Sequence, residues 1–486
     1  MGCIMSSSTL IEGHQGTIQG AVDGEEAECK KRRMAWSRAL LFSAATTMKR
    51  RGGGGEDRSK GGGLGSENND AWLLADARAD SVNSSFRISF GAQAEAATVL
   101  LLVSPEDGGA EDEGGRVESV ERSISPVAGS VARFSFSEIR AATRDFSGGR
   151  ELGRGALSRV YRGRIGAGRR AVAIKKIGGG RGRESSKAFC RELMIASALC
   201  HPNVVPLIGF CVDPQGLFLV YKYVSGGSLD RHLHHHDNKG RNKKSKMKVL
   251  PWEVRYKVAI GVARAVEHLH NGTDKCVIHR DIKPSNILIS SNRTPKLCDF
   301  GLATWIHGPS LPFLCKSVKG TFGYLAPEYF QHGKLSDKTD IYALGVVLLE
   351  LITGRKAIDQ TRPQGDENLV LWAKPFLQQG AEAIGKLADS RLKPNSRHWN
   401  EMSRVLQTTT ACLSSEESTR PSIGKVIAML QGDETCNEWS EFTKNSLLSG
   451  YGSQSHNSAE KPDMRNHLAL AMLGVSDNEE DDLYGR

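Results

Sequence analysis

VIHRDIKPSNIL, Val277 to Leu288, decides the fold class of this 486-residue chain. A strand-like apolar opening runs into a dense polar loop, and a second apolar run follows. Charged groups packed between buried segments need a partner or a task, because an unpaired buried charge is costly. Asp281 is placed to accept or orient a hydroxyl proton, and Lys283 to neutralise phosphate charge. Asn286 supplies an oxygen ligand for magnesium. Thirteen residues past Asn286 stands CDFG, whose Asp299 is a second hard oxygen ligand. Magnesium takes one or two carboxylates with phosphate oxygens and water, which this pair provides for.

Upstream lies LGRGALSRV, Leu152 to Val160. Gly153 and Gly155 let backbone amides approach phosphate oxygens that a β-carbon would obstruct. Tight hairpins use glycines in the same way, so the context decides. AVAIK, Ala171 to Lys175, follows, and a lysine ending a buried strand needs a charge beside it. The phosphates of ATP and a helix carboxylate are the partners, with Glu192, followed by apolar Leu193, Met194 and Ile195, as that carboxylate. Singly these motifs are common; in this order and spacing they do not arise by chance.

Further out, Ser135 and Glu138 stand as in a capping box, with Phe134 and Ile139 set for a hydrophobic staple. Ile139, Ala142 and Phe146 fall on one helical face. Residues 151–177 read as twisted antiparallel strands, 184–199 as a helix and Leu217 to Tyr223 as a strand. Beyond Trp252 the periodicity is mainly helical to about Leu430. HHHDNKGRNKKSKMK, interrupting that pattern after Leu233, holds three adjacent histidines, which point in different directions on any regular element. It reads as a solvated basic loop rather than a metal site. Residues 1–130 mix glycine runs with basic and acidic patches such as Glu106 to Glu118. They read as mostly disordered, with a short ordered piece around Phe86 to Val103. Residues 433–486 read as a disordered tail ending in an acidic cluster.

Together the motifs resemble the full signature set of the eukaryotic protein kinase domain, over residues 147–432, some three-fifths of the chain. FSFSEIRAATRDFS, HPNVVPLIGFC, GTFGYLAPEY and DIYALGVVLLELITG are similar to plant receptor-like cytoplasmic kinases. The resemblance implies an α+β bilobal kinase fold: a β-rich N-lobe at about 147–223 with one main helix, and a larger helical C-lobe at about 224–432. A lead-in helix extends the domain to 131. It implies ATP as cosubstrate with Mg2+ (Mn2+ as an alternative), protein substrates and an upstream receptor kinase.

Residue by residue, the nucleotide would meet Leu152, Gly153, Gly155, Ser158, Val160, Ala173, Lys175, Glu192, Tyr221, Tyr223 and Asp299. Tyr221 would back the adenine pocket, and Lys222 to Val224 would form the hinge. Asp281 would be the catalytic base beside Lys283, with Asn286 and Asp299 on the metal. Asp340 would brace the catalytic loop, and Glu328 would pair with Arg420. Lys283 together with Thr321 resembles serine/threonine rather than tyrosine kinases. Ser158 replaces the third loop glycine, and Leu157 stands where an aromatic is common, which implies altered nucleotide affinity rather than inactivity. Arg280 looks like the arginine that receives a phosphate on the activation segment, with Ser317 and Thr321 as the sites. For Thr321 a structural place beside Asp281 is the other reading. A pseudokinase or membrane-anchored scaffold is the alternative function; it requires loss of Lys175, Asp281 or Asp299, and all three are present.

The formal charge of +10 suits an anionic surface, and without zinc-finger or RNP-like segments a lipid fits better than nucleic acid. The ten cysteines show no metal or disulfide spacing, which suggests a reducing compartment. No apolar run reaches the roughly 18–20 residues of a membrane helix. The chain begins MGCIMS, so Gly2 fits a myristoylation pattern and Cys3 a palmitoylation site. Basic clusters at Lys30 to Arg33 and Lys49 to Arg51 favour the cytoplasmic face of the plasma membrane, with the cytoplasm as the alternative. Oligomeric state is not legible.

Overall fold

Alternating apolar residues around Lys175 fold as the middle of a sheet in the computed structural model. It describes residues 113–155, 158–178, 183–234, 249–306, 313–315 and 317–433. The N-lobe elements are α1 (Glu113–Ala128), β1 (Ala132–Arg133), α2 (Phe136–Thr143), β2 (Glu151–Gly155), β3 (Ser158–Ile165) and β4 (Arg170–Ile177). They continue with α3 (Arg183–Ala198), β5 (Leu207–Asp213) and β6 (Gly216–Lys222). The six strands lie in the order β1-β5-β6-β4-β3-β2, with only β1 parallel to its neighbour. Register sets Lys175 between Val160 and Leu219, and Ala173 opposite Tyr221.

The strand period of two sorts residues between two faces. Val172, Ile174, Phe218 and Val220 pack with Ile139 and Ala142 of α2. Leu217, Leu219 and Phe210 join Phe189 and Leu193 of α3 in the main core. Helix α2 starts at Ser135, whose Oγ accepts from the Glu138 amide at 3.3 Å while the Ser135 amide donates to Glu138 Oε2 at 2.8 Å. It is one turn shorter than its apolar spacing suggests. Arg144, Asp145 and Phe146 all take positive φ, which ends the helix and folds Phe146 back onto Phe218 at 5.6 Å.

Order also begins earlier than composition implies. The acidic stretch read as disordered continues from Glu113 into α1, where Val120, Ile124 and Val127 are buried. Their spacing of four and three residues makes an apolar stripe that glycine, serine and charge content conceals. The segments Phe86 to Val103 and 434–486 lie outside the described residues.

The C-lobe runs through α4 (Leu229–His234), α5 (Trp252–Asn271), α6 (Pro327–His332), α7 (Asp337–Thr353), α8 (Leu369–Gln379), α9 (Ile384–Leu387), α10 (Ser396–Cys412) and α11 (Ile423–Gln431). Helix α7 is buried along nearly its whole length, and apolar residues predominate on every face from Ile341 onward. The region also contains two short antiparallel pairs, β7 (Cys276–Ile278) with β10 (Thr304–Ile306), and β8 (Ile287–Ile289) with β9 (Pro295–Leu297). These fix the ends of the two polar loops, 279–286 and 298–303. One of the three adjacent histidines departs from the loop reading. His234 ends a short helix, Leu229–His234, with its side chain buried between Asp230 Oδ1 at 3.1 Å and the Arg355 carbonyl at 3.1 Å. Among the described residues no helix is long and apolar enough to cross a membrane.

Candidate active site

Lys175 projects from β4 into the cleft between the lobes. Its Nζ donates to Glu192 Oε1 and Oε2 at 2.8 and 2.7 Å and to Asp299 Oδ1 at 2.7 Å. Burial alone would lower its pKa; the charges of Glu192 and Asp299 outweigh that and raise it, so the ammonium stays charged. Burial pushes the Glu192 carboxyl upward, partly offset by Lys175. Burial also works against Asp299, but the Lys175 charge wins and holds it below the usual carboxylate range. Tyr221, buried on β6, donates to Glu192 Oε1 at 2.9 Å, a contact that sequence spacing did not reveal. Gly301 sits close against this group: an added β-carbon would stand 3.2 Å from Glu192 Oε2 and 3.4 Å from Lys175 Nζ.

The second group gathers on the loop after β7. Asp281 Oδ1 accepts from Thr321 Oγ1 at 2.6 Å, and Oδ2 accepts from Asn286 Nδ2 at 2.9 Å and lies 2.9 Å from Lys283 Nζ. Lys283 also donates to Thr321 Oγ1. Asn286 gives its amide nitrogen to Asp281, leaving its oxygen available for a cation. Asp299 likewise keeps Oδ2 clear of the Lys175 contact, and its side chain is 45% exposed. Two hard oxygens from different loops therefore fit magnesium's preference. Phosphate oxygens and water would complete the shell of such an ion.

Asp340 supports this loop from beneath. Fully buried on α7, it accepts from the His279 amide at 2.8 Å, the Arg280 amide at 3.0 Å and His270 Nε2 at 3.0 Å. Burial opposes its charge, but these bonds outweigh it and lower its pKa. They also hold Arg280 at φ +68°, outside the ordinary range for a side-chain-bearing residue. His270 and His279 were not singled out by any motif spacing.

The glycine-rich strand β2 roofs the cleft. An added β-carbon at Gly153 would meet no protein atom within 4 Å, so the space beside it is open. Leu152 is exposed at 46%, while Val160 and Ala173 are half-buried below it. Tyr223 follows β6, its ring under the Arg162 guanidinium at 4.7 Å. Ser158 opens β3, and Leu157 lies outside the described residues.

In the activation segment Thr321 Oγ1 donates to Asp281 and accepts from Lys283. Ser317 is exposed, and Ser310 lies outside the described residues. Glu328 and Arg420 meet in a two-pronged pair at 2.8 and 2.7 Å. Gly2 and Cys3 lie outside the described residues.

The protein kinase domain family matches residues 146–430, more than half of the chain. The chain belongs to that family. Among curated proteins of Arabidopsis thaliana it is 41% identical to the probable serine/threonine-protein kinase PBL21, covering 63% of this chain and 78% of that one. It is 38% identical to the protein kinase STUNTED over 71% of this chain and 53% of that one. For the serine/threonine-protein kinase PBS1 the identity is 40%, over 61% of this chain and 63% of that one. The chain thus spans between about half and four-fifths of these relatives' lengths. Its kinase domain is of the plant receptor-like cytoplasmic serine/threonine type.

Proposed function

We propose that this protein transfers the γ-phosphate of ATP to serine and threonine hydroxyls of proteins. The observation that carries the reading is the Asp281 carboxylate, held on both oxygens, in the same cleft as the Lys175–Glu192–Asp299 triad. Thr321 and Asn286 fix the carboxylate so that a substrate hydroxyl can hydrogen-bond to it and release its proton there. Lys283, within reach of the same carboxylate, places positive charge where the phosphoryl group passes. Lys175, aligned by Glu192, takes the α and β phosphates. Asn286 and Asp299 would hold magnesium, which neutralises phosphate charge when bound. Leu152, Val160, Ala173 and Tyr223 line the nucleotide's place, with Tyr221 behind it. The intact triad favours transfer over nucleotide binding alone.

The finer reading is membrane-proximal signalling downstream of a receptor kinase, with the chain anchored through Gly2 and Cys3 and switched by phosphate on Ser317. Support comes from the MGC opening, the basic clusters, the partly buried Arg280 guanidinium, whose Nε has no acceptor among the described residues, and receptor-like kinases among the relatives. Incubation with labelled ATP, Mg2+ and a generic protein substrate tests the activity. Label on Ser and Thr, absent from the Asp281→Asn protein, is expected; no transfer by the wild type would leave only a nucleotide-binding scaffold.

A further inference from the structure

Helix α1 lies ahead of residues 146–430, the stretch that the kinase family covers. Val120, Ile124 and Val127 are 3%, 2% and 1% exposed. They share one core with Phe189 and Leu193 of α3 and with Phe210 and Val212 of β5. Helix α3 is the element that carries Glu192. The chain then enters β1, where the Phe134 amide donates to the Phe210 carbonyl at 2.8 Å. At Gly209 an added β-carbon would stand 2.0 Å from the Ala132 carbonyl oxygen, so the sheet edge admits this segment only because residue 209 is glycine. Glu121, midway along α1, pairs with Arg133 of β1.

The segment is a poor helix by itself. Two glycines, three β-branched valines and three serines lower its propensity, and Pro126 removes a donor from the last turn. A 16-residue helix of this composition is marginal in water, so its helicity depends on docking.

We propose that residues 113–133 form an in-chain clamp that holds α3 where Glu192 meets Lys175. Val120, Ile124 and Val127 are the positioning residues; they touch no reacting group and act through α3. Without the clamp the apolar back of α3 faces water, and the helix loses one of the surfaces that fix its depth and rotation. This inference rests on the kinase reading of the Lys175–Glu192 pair.

A double-mutant cycle in the full chain tests it. Ile124→Ser should lower kcat about tenfold, whereas Ile124→Leu, which keeps the apolar contact, should stay near wild type. In a Glu192→Gln background the same Ile124→Ser change should cost no more than about twofold, because the pair it supports is already gone. Equal losses in both backgrounds would overturn the clamp. Val117→Ser, at the half-buried start of the stripe, serves if Ile124→Ser does not fold. Hydrogen exchange of α3 amides reads the clamp without turnover. Faster exchange in the Ser variant is expected, and protection equal to wild type would refute the clamp. Absence of transfer by the wild type would instead sink the kinase reading.

Discussion

Asp281 and Lys175 each depend on partners that a substitution can remove one at a time. Asp281→Asn preserves volume and one acceptor oxygen, which can still take the Asn286 amide, but it removes the second acceptor and the negative charge that accepts a proton. Transfer should fall by about 10²–10⁴ with little change in thermal unfolding. Lys175→Met leaves Glu192 buried without its cation. That carboxyl can take a proton and keep its bond to Tyr221, so the domain should stay folded while transfer is largely lost. Initial rates and melting curves on both proteins check this. Near-wild-type autophosphorylation of either would sink the assignment of roles.

At the scale of elements, the activation segment joins the two chemical groups to the C-lobe. Thr321 ties it to the catalytic loop, and the Glu328–Arg420 pair ties the helix that follows, Pro327–His332, to the residue preceding the last helix. Arg420 is fully buried, so Glu328→Ala strands a charge and should cost about 3–5 kcal/mol, readable by denaturant unfolding. A loss under 1 kcal/mol would mean that other acceptors, such as the Ser414 carbonyl at 2.8 Å, suffice. Arg280 lies over Tyr329, its guanidinium carbon 5.5 Å from the ring; its Nη atoms donate to the Leu302 carbonyl and the Tyr329 hydroxyl, and among the described residues its Nε has no acceptor. A phosphate on Ser317 would supply one and order the segment. Ser317→Ala should therefore remove the gain in turnover that autophosphorylation brings. Equal rates before and after dephosphorylation of the wild type, with no phosphate mapped between residues 299 and 328, would exclude this switch.

The whole molecule adds location to chemistry. If Gly2 is acylated, Gly2→Ala should move a C-terminal fluorescent fusion from the plasma membrane to the cytosol. Cys3→Ser should leave a weaker, exchanging association through one myristoyl chain. Each buried methylene contributes about 0.8 kcal/mol, so losing a palmitoyl chain weakens binding by several powers of ten. Lys30 to Arg33 and Lys49 to Arg51 add about 1 kcal/mol per charge near an anionic surface, so the remaining binding should weaken with salt. Unchanged membrane fluorescence of the Gly2→Ala protein would refute the anchor and leave the kinase reading intact.

The sequence by itself determined the identity of the chemical groups and the class of fold. Asp281, Lys283 and Asn286 lie within six residues, and the strand holding Lys175 shows its period directly. Such features depend on near neighbours, where backbone geometry and spacing leave few choices. The capping box at Ser135 was legible for the same reason. Only the tertiary structure decided contacts between distant residues: Thr321 on Asp281, Tyr221 on Glu192, and Asp340 bridging His270 and two loop amides. It also decided that α2 stops before Phe146, that His234 is buried, and that residues 113–128 form a helix. In each case the deciding energy is burial against a surface remote in sequence. Composition cannot register that surface, and no local spacing encodes it.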